Sequence, residues 1–348
     1  MNRDPHHPVA QVQGVVVTLG VIAHLENPSY EHVRQLARRA EEAGADWLGA
    51  PDAFWWRDTW LLLAEAARVT SRIQLGPLVT NPYLRHPFVT VSALASLQGL
   101  AGPRVFIGLG AGGSEVRLAA RISRRDAAER IEQLAELVRR VSSGGPLDPV
   151  SGRTLEVPLY PVRVTIGARA PSVLRAAGKV ADEVLLWAVP NSDLERSVAM
   201  VREGYEEAKR AAPRGDQTVR PYPRLIWGPV VNTGPSSKAL LARVATYAVL
   251  NNRSSVRRSW GVKPEDVDRI RELLVAGAVA DAAALVPPSV ARDLSADPDP
   301  EKAGAVAAKI GASGIAVAVT DLGDVEACVS WGRRALAATR LMPASART

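Results

Sequence analysis

Short apolar runs recur along the chain, and most of them are continuous instead of alternating with polar residues. Continuous apolar runs are typical of strands that are buried on both faces of a parallel sheet. Eight such strands are predicted: GVVVTLGVIA from Gly14, DWLGAP from Asp46, RIQLGPLV from Arg72, RVFIGLGA from Arg104, VRVTIGA from Val162, DEVLLWA from Asp182, RLIWGPVVN from Arg224 and GIAVAVT from Gly314.

Helical patterns separate the predicted strands. The segment SYEHVRQLARRAEEAG follows the first strand, with Ser29 suited to an N-cap and Gly44 to a C-cap. Strands that each precede a helix predict a (β/α)8 barrel, or TIM barrel, of the α/β class. A doubly wound sheet is the alternative, because the same alternation of strand and helix also builds that fold.

The stretch from about 254 to 299 interrupts this alternation. It holds helical pieces such as PEDVDRIRELLVAGAVADAAALV. We interpret it as a helical insertion after strand seven, which either covers the barrel mouth or lies at the periphery without a role. Residues 1–348 contain no low-complexity linker, so we expect a single barrel domain.

The composition narrows the functional class. The chain is 47% hydrophobic, and its one cysteine, Cys328, excludes an internal disulfide and is expected to be buried. No run reaches the roughly 18 apolar residues of a membrane span, and the N-terminus has no apolar leader, so we expect a cytoplasmic protein without a membrane partner.

The net charge of +7 suits an anionic ligand. Because basic residues are interspersed with acids along the helices, nucleic acid is not an expected partner. The sequence contains no Cys/His cluster with metal-ligand spacing, so no metal is predicted.

In a TIM barrel, the residues that follow the strands meet at one face and build the active site. That rule selects His24 after strand one, Asp52 after strand two, and the loop TNPYLRHP after strand three, which begins with Thr80 and Asn81. Asn-Pro is a turn dipeptide, so this loop is also typical of an ordinary strand-to-helix connection. Asp52 suits either a hydrogen bond from the N–H of a heterocycle or a cap on the following helix.

Three tryptophans, Trp55, Trp56 and Trp60, follow Asp52 closely. Aromatic side chains concentrate in protein cores and in subunit interfaces, and we expect most of these there. One of them is available to stack on a ring.

Two further loops offer a ligand close access to the backbone. GLGAGG, from Gly108 to Gly113, matches the GxGxxG pattern, but it ends the fourth strand instead of opening the first βαβ unit, so we reject a nicotinamide site there. The glycines are interpreted as a strand-exit loop that a flat ligand can approach. In IGARAPSVLRAAG, Pro171 suits the first turn of a helix, and the N–H groups of residues 168–170 and 172 with the charge of Arg169 predict an anion site.

Taken in this order, the motifs resemble the bacterial luciferase-like superfamily, and within it the coenzyme F420-dependent, methylenetetrahydromethanopterin reductase-like branch. The resemblance runs from about Gly14 to Thr320 and is strongest from Trp56 to Glu115. It rests on WRDTWLLLAEAARVTSRIQLGPLVTNPYLRHPFVTVSALASL, on RVFIGLGAGGSE and on VTIGARAPSVLRAAGKVADEVLLW.

The resemblance implies a dimeric TIM barrel of the luciferase-like type that holds a deazaflavin or a flavin at its mouth. It also implies a bulge after strand three that supports the central ring, with a cis peptide bond that matches Leu78–Val79. Arg85 and His86 are then expected to brace this turn or the dimer. Strand ends and resemblance together assign the following residues to the cofactor: Asp52, Leu78, Val79, Thr80, Asn81, Gly110, Gly112, Gly167, Ala168, Arg169, Ala170 and Ser172.

Two departures from the family pattern change the expected chemistry. The sugar-phosphate dehydrogenases of this branch carry an Asp-His pair after strand two and a glutamate after strand four, and the matching positions here are Asp52–Ala53 and Gly113. Alcohol oxidation needs such proton acceptors. We therefore predict a reductase that uses coenzyme F420 to reduce a C=C or C=N bond of a small molecule or peptide, such as an imine, enoyl or dehydroamino-acid group of specialised metabolism, with His24 as candidate proton donor. The alternatives are a monooxygenase that uses reduced flavin mononucleotide (FMN) and a cofactor-free binding or assembly subunit.

Overall fold

Eight parallel strands form a closed barrel. The computed structural model describes residues 18–341 except 26, 114–115, 117–118, 123–125 and 213–219, so residues 14–17 of the predicted first strand lie outside it. The strands are β1 (Thr18–Ala23), β2 (Trp47–Ala50), β3 (Gln74–Pro77), β4 (Phe106–Gly110), β5 (Arg163–Gly167), β6 (Glu183–Trp187), β7 (Arg224–Gly228) and β8 (Gly314–Val319).

Strand pairing closes the sheet on itself. The hydrogen-bonded order is β3-β2-β1-β8-β7-β6-β5-β4, and the parallel bridges Leu75–Val105 and Thr80–Leu109 join β3 to β4. The predicted TIM barrel is therefore confirmed. The doubly wound alternative is wrong, because such a sheet keeps two open edges.

Helices pack around the barrel. They are α1 (Tyr30–Ala43), α2 (Thr59–Val69), α3 (Pro87–Ala101), α4 (Ala127–Ser142), α5 (Pro171–Val180), α6 (Leu194–Ala211), α7 (Pro235–Asn251), α8 (Ser254–Ser259), α9 (Pro264–Val275), α10 (Val279–Ala284), α11 (Pro288–Leu294), α12 (Pro300–Lys309) and α13 (Val325–Leu341). The predicted caps of α1 are confirmed, since the Ser29 hydroxyl accepts a hydrogen bond from the His32 N–H and Gly44 is left-handed with φ of 83°. None of these described helices is long and apolar enough to cross a bilayer.

The core has an outer and an inner layer. The outer layer lies between the sheet and its helices and includes the buried Cys328, as expected for a structural thiol. The inner layer fills the barrel with side chains that include Trp47, Leu78, Phe106 and Ile226. This filling leaves room for a ligand only at the ends of the barrel, where the loops begin.

Helices α8 to α11 occupy most of the stretch predicted as an insertion. They pack against α7 in a separate apolar cluster that includes Val249, Trp260 and Ile270. Val230, just after β7, bridges to Ser295 and ties this cluster to the barrel. The helix that reaches the barrel mouth is α7, which precedes the predicted insertion, and α8 to α11 lie behind it.

Candidate cofactor and substrate pocket

A cavity of about 320 Å³ opens at the C-terminal ends of the strands. This volume lies at the lower end of the range for small-molecule sites, about 300–1,000 Å³. Loops after five strands and one face of α7 build its walls. Most residues predicted for the site line it: His24, Asp52, Leu78, Val79, Gly112, Gly167, Ala168, Arg169, Ala170 and Ser172.

The floor of the cavity is a two-residue shelf, Leu78 and Val79, directly after β3. The peptide bond between them is cis, as the resemblance implied. Backbone hydrogen bonds fix both sides of the shelf: Leu78 N–H donates to the Ala50 carbonyl at 2.7 Å, and Thr80 N–H donates to the Gly108 carbonyl at 2.9 Å. Leu78 is buried in the barrel, while half-buried Val79 faces the cavity.

Glycines on the neighbouring strands make room for this shelf. A Cβ at Gly110 would lie 2.6 Å from a Val79 methyl group, and one at Gly167 would lie 2.9 Å from the other. A Cβ at Gly108 would lie 2.8 Å from Leu78 Cδ1. Gly110 is thus absent from the cavity lining because Val79 covers it. Gly110 packs beneath the shelf, and its assignment to the cofactor stays a prediction.

Thr80 and Asn81 also lie beneath the shelf. Both are buried and neither lines the cavity. The Thr80 hydroxyl donates to Asp52 Oδ2 at 2.8 Å, and Asn81 Oδ1 accepts the N–H groups of Tyr83 and Leu84 at 3.1 Å each. These two residues therefore hold the TNPYLRHP turn, and their assignment to the cofactor stays a prediction.

Asp52 is a buried carboxylate that forms an ion pair with Arg85. Its Oδ2 accepts a hydrogen bond from the Arg85 guanidinium, whose other nitrogen contacts Asp58 Oδ2 at 2.6 Å. Burial alone would lower the pKa of Arg85, but the charges of Asp52 and Asp58 outweigh it and raise that pKa. Arg85 thus braces the turn, as predicted. The alternative in which Asp52 caps a helix is wrong, because Asp58 caps α2 by accepting the N–H groups of Trp60 and Leu61.

The TNPYLRHP turn has two more anchors. His86 is the N-cap of α3, and its Nδ1 accepts the Phe88 N–H at 3.2 Å. The Tyr83 hydroxyl donates to Asp126 Oδ1 at 3.0 Å, and burial with this carboxylate raises the pKa of Tyr83 to about 12. Both side chains hold the turn in place, and the cavity is lined by the preceding shelf and not by residues 80–87.

The start of α5 forms the opposite end of the cavity from β1. Ala170 is the N-cap and has no side-chain hydrogen bond, and Pro171 is in the first turn. The first-turn N–H groups of a helix have no partner within the helix and attract anions. Arg169 and Ser172 line the cavity beside them. One predicted donor is corrected: the Ala168 N–H pairs with the Leu185 carbonyl at 3.2 Å.

Aromatic side chains line the other walls. Trp55, Trp56 and Trp187 face the cavity, whereas Trp60 is buried in the core. The ring of Trp56 makes an edge contact with His24 at 6.0 Å between centroids, and the Arg243 guanidinium lies 5.9 Å from the same indole. His24, the candidate proton donor, thus lies at the cavity wall in a half-buried position.

Helix α7 contributes a face that the sequence analysis missed. Its side chains at intervals of three and four residues line the cavity: Leu240, Arg243, Val244, Tyr247 and Asn251. This spacing places them on one side of a helix. The pattern is visible in the sequence after strand seven, but the predicted insertion began beyond it. Within the described residues, no group of three His, Cys, Asp or Glu side chains is arranged to hold a metal ion.

The cavity lies among the βα loops, which is where TIM-barrel enzymes have their active sites. The chain belongs to the luciferase-like monooxygenase family, whose model matches residues 12–313. It is 29% identical over 270 residues to 5,10-methylenetetrahydromethanopterin reductase of Methanopyrus kandleri, a match that covers 69% of this chain and 74% of the relative. It is also 29% identical over 232 residues to the F420-dependent glucose-6-phosphate dehydrogenase of Kineococcus radiotolerans, covering 61% and 69% of the two chains.

A solved structure has the same fold. The coenzyme F420-dependent tetrahydromethanopterin reductase of Methanopyrus kandleri superimposes with a TM-score of 0.72 over 91% of this chain and 98% of that one, at 23% identity. The recognised family and the fold are therefore both confirmed, and the relatives named here are oxidoreductases.

Proposed function

We propose that this protein is a coenzyme F420-dependent reductase that transfers a hydride to an activated C=C or C=N bond of a small molecule or peptide. The observation that supports it best is the Leu78–Val79 shelf, enclosed by Gly108, Gly110 and Gly167, in the same cavity as the helix start at Ala170. A flat floor and an anion-binding end fit a ring system with a phosphorylated tail. The similarity to F420-dependent relatives points to the same cofactor.

Each part of the cavity has a distinct proposed role. When bound, the reduced deazaflavin supplies the hydride. The shelf supports its ring from below, and Arg169 with the first turn of α5 binds the negative charge of its tail. Trp55, Trp56 and Trp187 exclude water from the reacting centre. We assign the protonation of the product to His24, because its imidazole lies at the cavity wall and histidine is the side chain that most often serves as a general acid.

The departures from the dehydrogenase pattern support the reductive direction. Ala53 is a buried cavity residue without a proton-accepting group, and Gly113 is exposed at the cavity edge. Removing a proton from an alcohol requires a base, whereas reduction of a double bond consumes a proton. The proposed substrates are therefore imine, enoyl or dehydroamino-acid groups.

We also propose a homodimer. Large apolar side chains are exposed near the starts of the neighbouring helices α2 and α3, among them Leu61 and Val89, with Phe54 in the preceding loop. Burying such side chains against a second copy would remove apolar surface from water. A molar mass equal to that of one chain in light scattering would contradict this part of the proposal.

The choice of cofactor tests the proposed function directly. Coenzyme F420 should bind at least tenfold more tightly than FMN, which corresponds to about 1.4 kcal/mol. A fluorescence titration of the purified protein with each cofactor measures this ratio. Equal or reversed affinities would favour the alternative of a monooxygenase that uses reduced FMN. The membership of the chain in the luciferase-like monooxygenase family is consistent with that alternative. No binding of either cofactor would favour a cofactor-free subunit.

A further inference from the structure

A second cavity of about 490 Å³ opens beside the first, between the exits of β1 and β8 and the start of α7. The residues that line it but not the first cavity include Pro28, His32, Ser236, Ala239, Thr320 and Asp321. The two cavities share His24, Leu240 and Arg243. The two cavities therefore adjoin at these three side chains.

The order of the strands in the barrel fixes the position of the second cavity relative to α5 and to the shelf. In the closed order, β1 lies four strands from β5 in either direction, so the second cavity is across the barrel from the start of α5. The shelf after β3 is two strands from each of them. If α5 binds the anionic tail of the cofactor and the shelf supports its ring, the side at β1 and β8 remains for the substrate.

The two cavities differ in chemistry. The first has the indoles of Trp55, Trp56 and Trp187 in its walls, which suits a flat, apolar group. The second carries hydroxyl, carboxylate and imidazole groups. Thr320 Oγ1 is buried and has no hydrogen-bond partner within the part of the chain that the structure describes. Because Thr320 lines the second cavity, a polar group bound there is one source of the missing hydrogen bond.

We propose that the second cavity binds the distal, polar part of an elongated substrate whose reacting double bond lies in the first cavity. His24, Leu240 and Arg243 then contact the middle of the substrate, and Thr320 forms a hydrogen bond with its polar end. This inference rests on the proposed function for the placement of the cofactor. It narrows the substrate class to molecules with a flat, apolar reacting end and a polar extension.

Two enone probes test the second cavity by equilibrium binding. Cyclohexenone and a cyclohexenone that carries a hydroxybutyl chain are titrated calorimetrically into the full chain, with and without oxidised F420. The chain-bearing probe should bind at least tenfold more tightly, about 1.4 kcal/mol. Equal affinities of the wild-type protein for the two probes would overturn the proposal.

Two variants of α7 test whether the difference in affinity between the two probes arises in the second cavity. Ala239 is exposed on α7 and lines only the second cavity, so Ala239→Trp should remove the advantage of the longer probe and leave the affinity for cyclohexenone unchanged. Ala242→Trp is the matched control, since Ala242 is exposed on the same helix and lines neither cavity. Retention of the advantage in Ala239→Trp, with an unchanged melting temperature, would also overturn the proposal.

The hydrogen bond has its own test. Thr320→Val keeps the shape of the side chain and removes the hydroxyl, so it should weaken binding of the hydroxybutyl probe more than binding of a butyl analogue. An equal effect on both probes would refute the role of Thr320. If the wild-type chain fails to bind F420, the proposed function is wrong, yet the comparison of the two enones still decides whether the second cavity binds a polar extension.

Discussion

The side chain of Val79 requires glycine at two neighbouring positions, Gly110 and Gly167. It extends from the shelf into space that Gly110 and Gly167 leave open, because a Cβ at either position would overlap its methyl groups. In the sequence, Gly110 belongs to GLGAGG, which is interpreted as a loop that a flat ligand can approach, and Gly167 precedes the predicted anion site. Their packing against Val79 is a contact between strands, so only the folded barrel distinguishes the two interpretations.

Gly110→Ala tests this packing. The added methyl group should displace Val79, lower the free energy of unfolding by about 1–3 kcal/mol as in other overpacked sites, and weaken F420 binding. Denaturant unfolding and cofactor titration measure the two effects. Gly113→Ala is the control, because a Cβ there would meet nothing within 4 Å. If the two variants have the same free energy of unfolding and the same F420 affinity, the position of Val79 does not require a glycine at residue 110.

His24 is the residue on which the proposed protonation depends. His24→Asn should lower kcat for the double-bond reduction by about 10²-fold or more, since a positioned acid contributes about 10²–10⁴-fold, while F420 affinity stays the same. His32→Asn serves as the comparison, because His32 is exposed and lines only the second cavity. Steady-state kinetics of both variants give the answer, and an unchanged kcat in His24→Asn would assign the proton to water or another group.

Helices α5 and α7 both line the first cavity, α5 with its first turn and α7 with one face. The start of α5 was predictable, because Pro171 marks a first turn and a helix start has a local sequence pattern. Helix α7 contributes a face whose members only the folded chain brings to the cavity. Its neighbours α8 to α11, in the stretch predicted as an insertion, build their own apolar cluster behind it.

Charge at the start of α5 is open to direct test. Arg169→Glu puts a negative charge beside the N–H groups of the first turn, so it should weaken F420 binding at least tenfold, about 1.4 kcal/mol, with an unchanged melting temperature. Arg169→Lys keeps the positive charge and should retain most of the affinity. Fluorescence titration compares the variants. If Arg169→Glu binds F420 as tightly as the wild-type protein, the tail does not bind at this helix.

For the whole molecule, barrel closure fixes the relation between the sites. Thr80 pairs with Leu109 across the β3–β4 seam, and this places the shelf beside the glycines of β4. Closure also sets the start of α5 opposite the exit of β1. In the proposed function, the cofactor tail at α5 and the distal part of the substrate at β1 therefore lie on opposite sides of the barrel mouth.

The direction of the reaction is a prediction about the whole site. Because Ala53 and Gly113 provide no base, oxidation of glucose 6-phosphate by oxidised F420 should stay near background, whereas reduced F420 should reduce an activated C=C or C=N bond. A positioned base is generally worth about 10²–10⁴-fold. A spectrophotometric assay of deazaflavin absorbance follows both half-reactions. Rapid reduction of F420 by the sugar phosphate would mean that another residue replaces the missing base, and the assignment as a reductase would have to be withdrawn.

The strands, the caps of α1, the barrel and the loops at its mouth were all predictable from the amino-acid sequence. These features depend on local patterns, since apolar runs, capping residues and turn dipeptides act on near neighbours in the chain. The resemblance added the Leu78–Val79 cis bond. The folded barrel was needed to show that Thr80, Asn81 and Gly110 lie beneath the shelf, that α7 lines the first cavity, and that a second cavity adjoins the first. Such facts depend on contacts between residues far apart in the chain, and only the closed barrel brings those residues together.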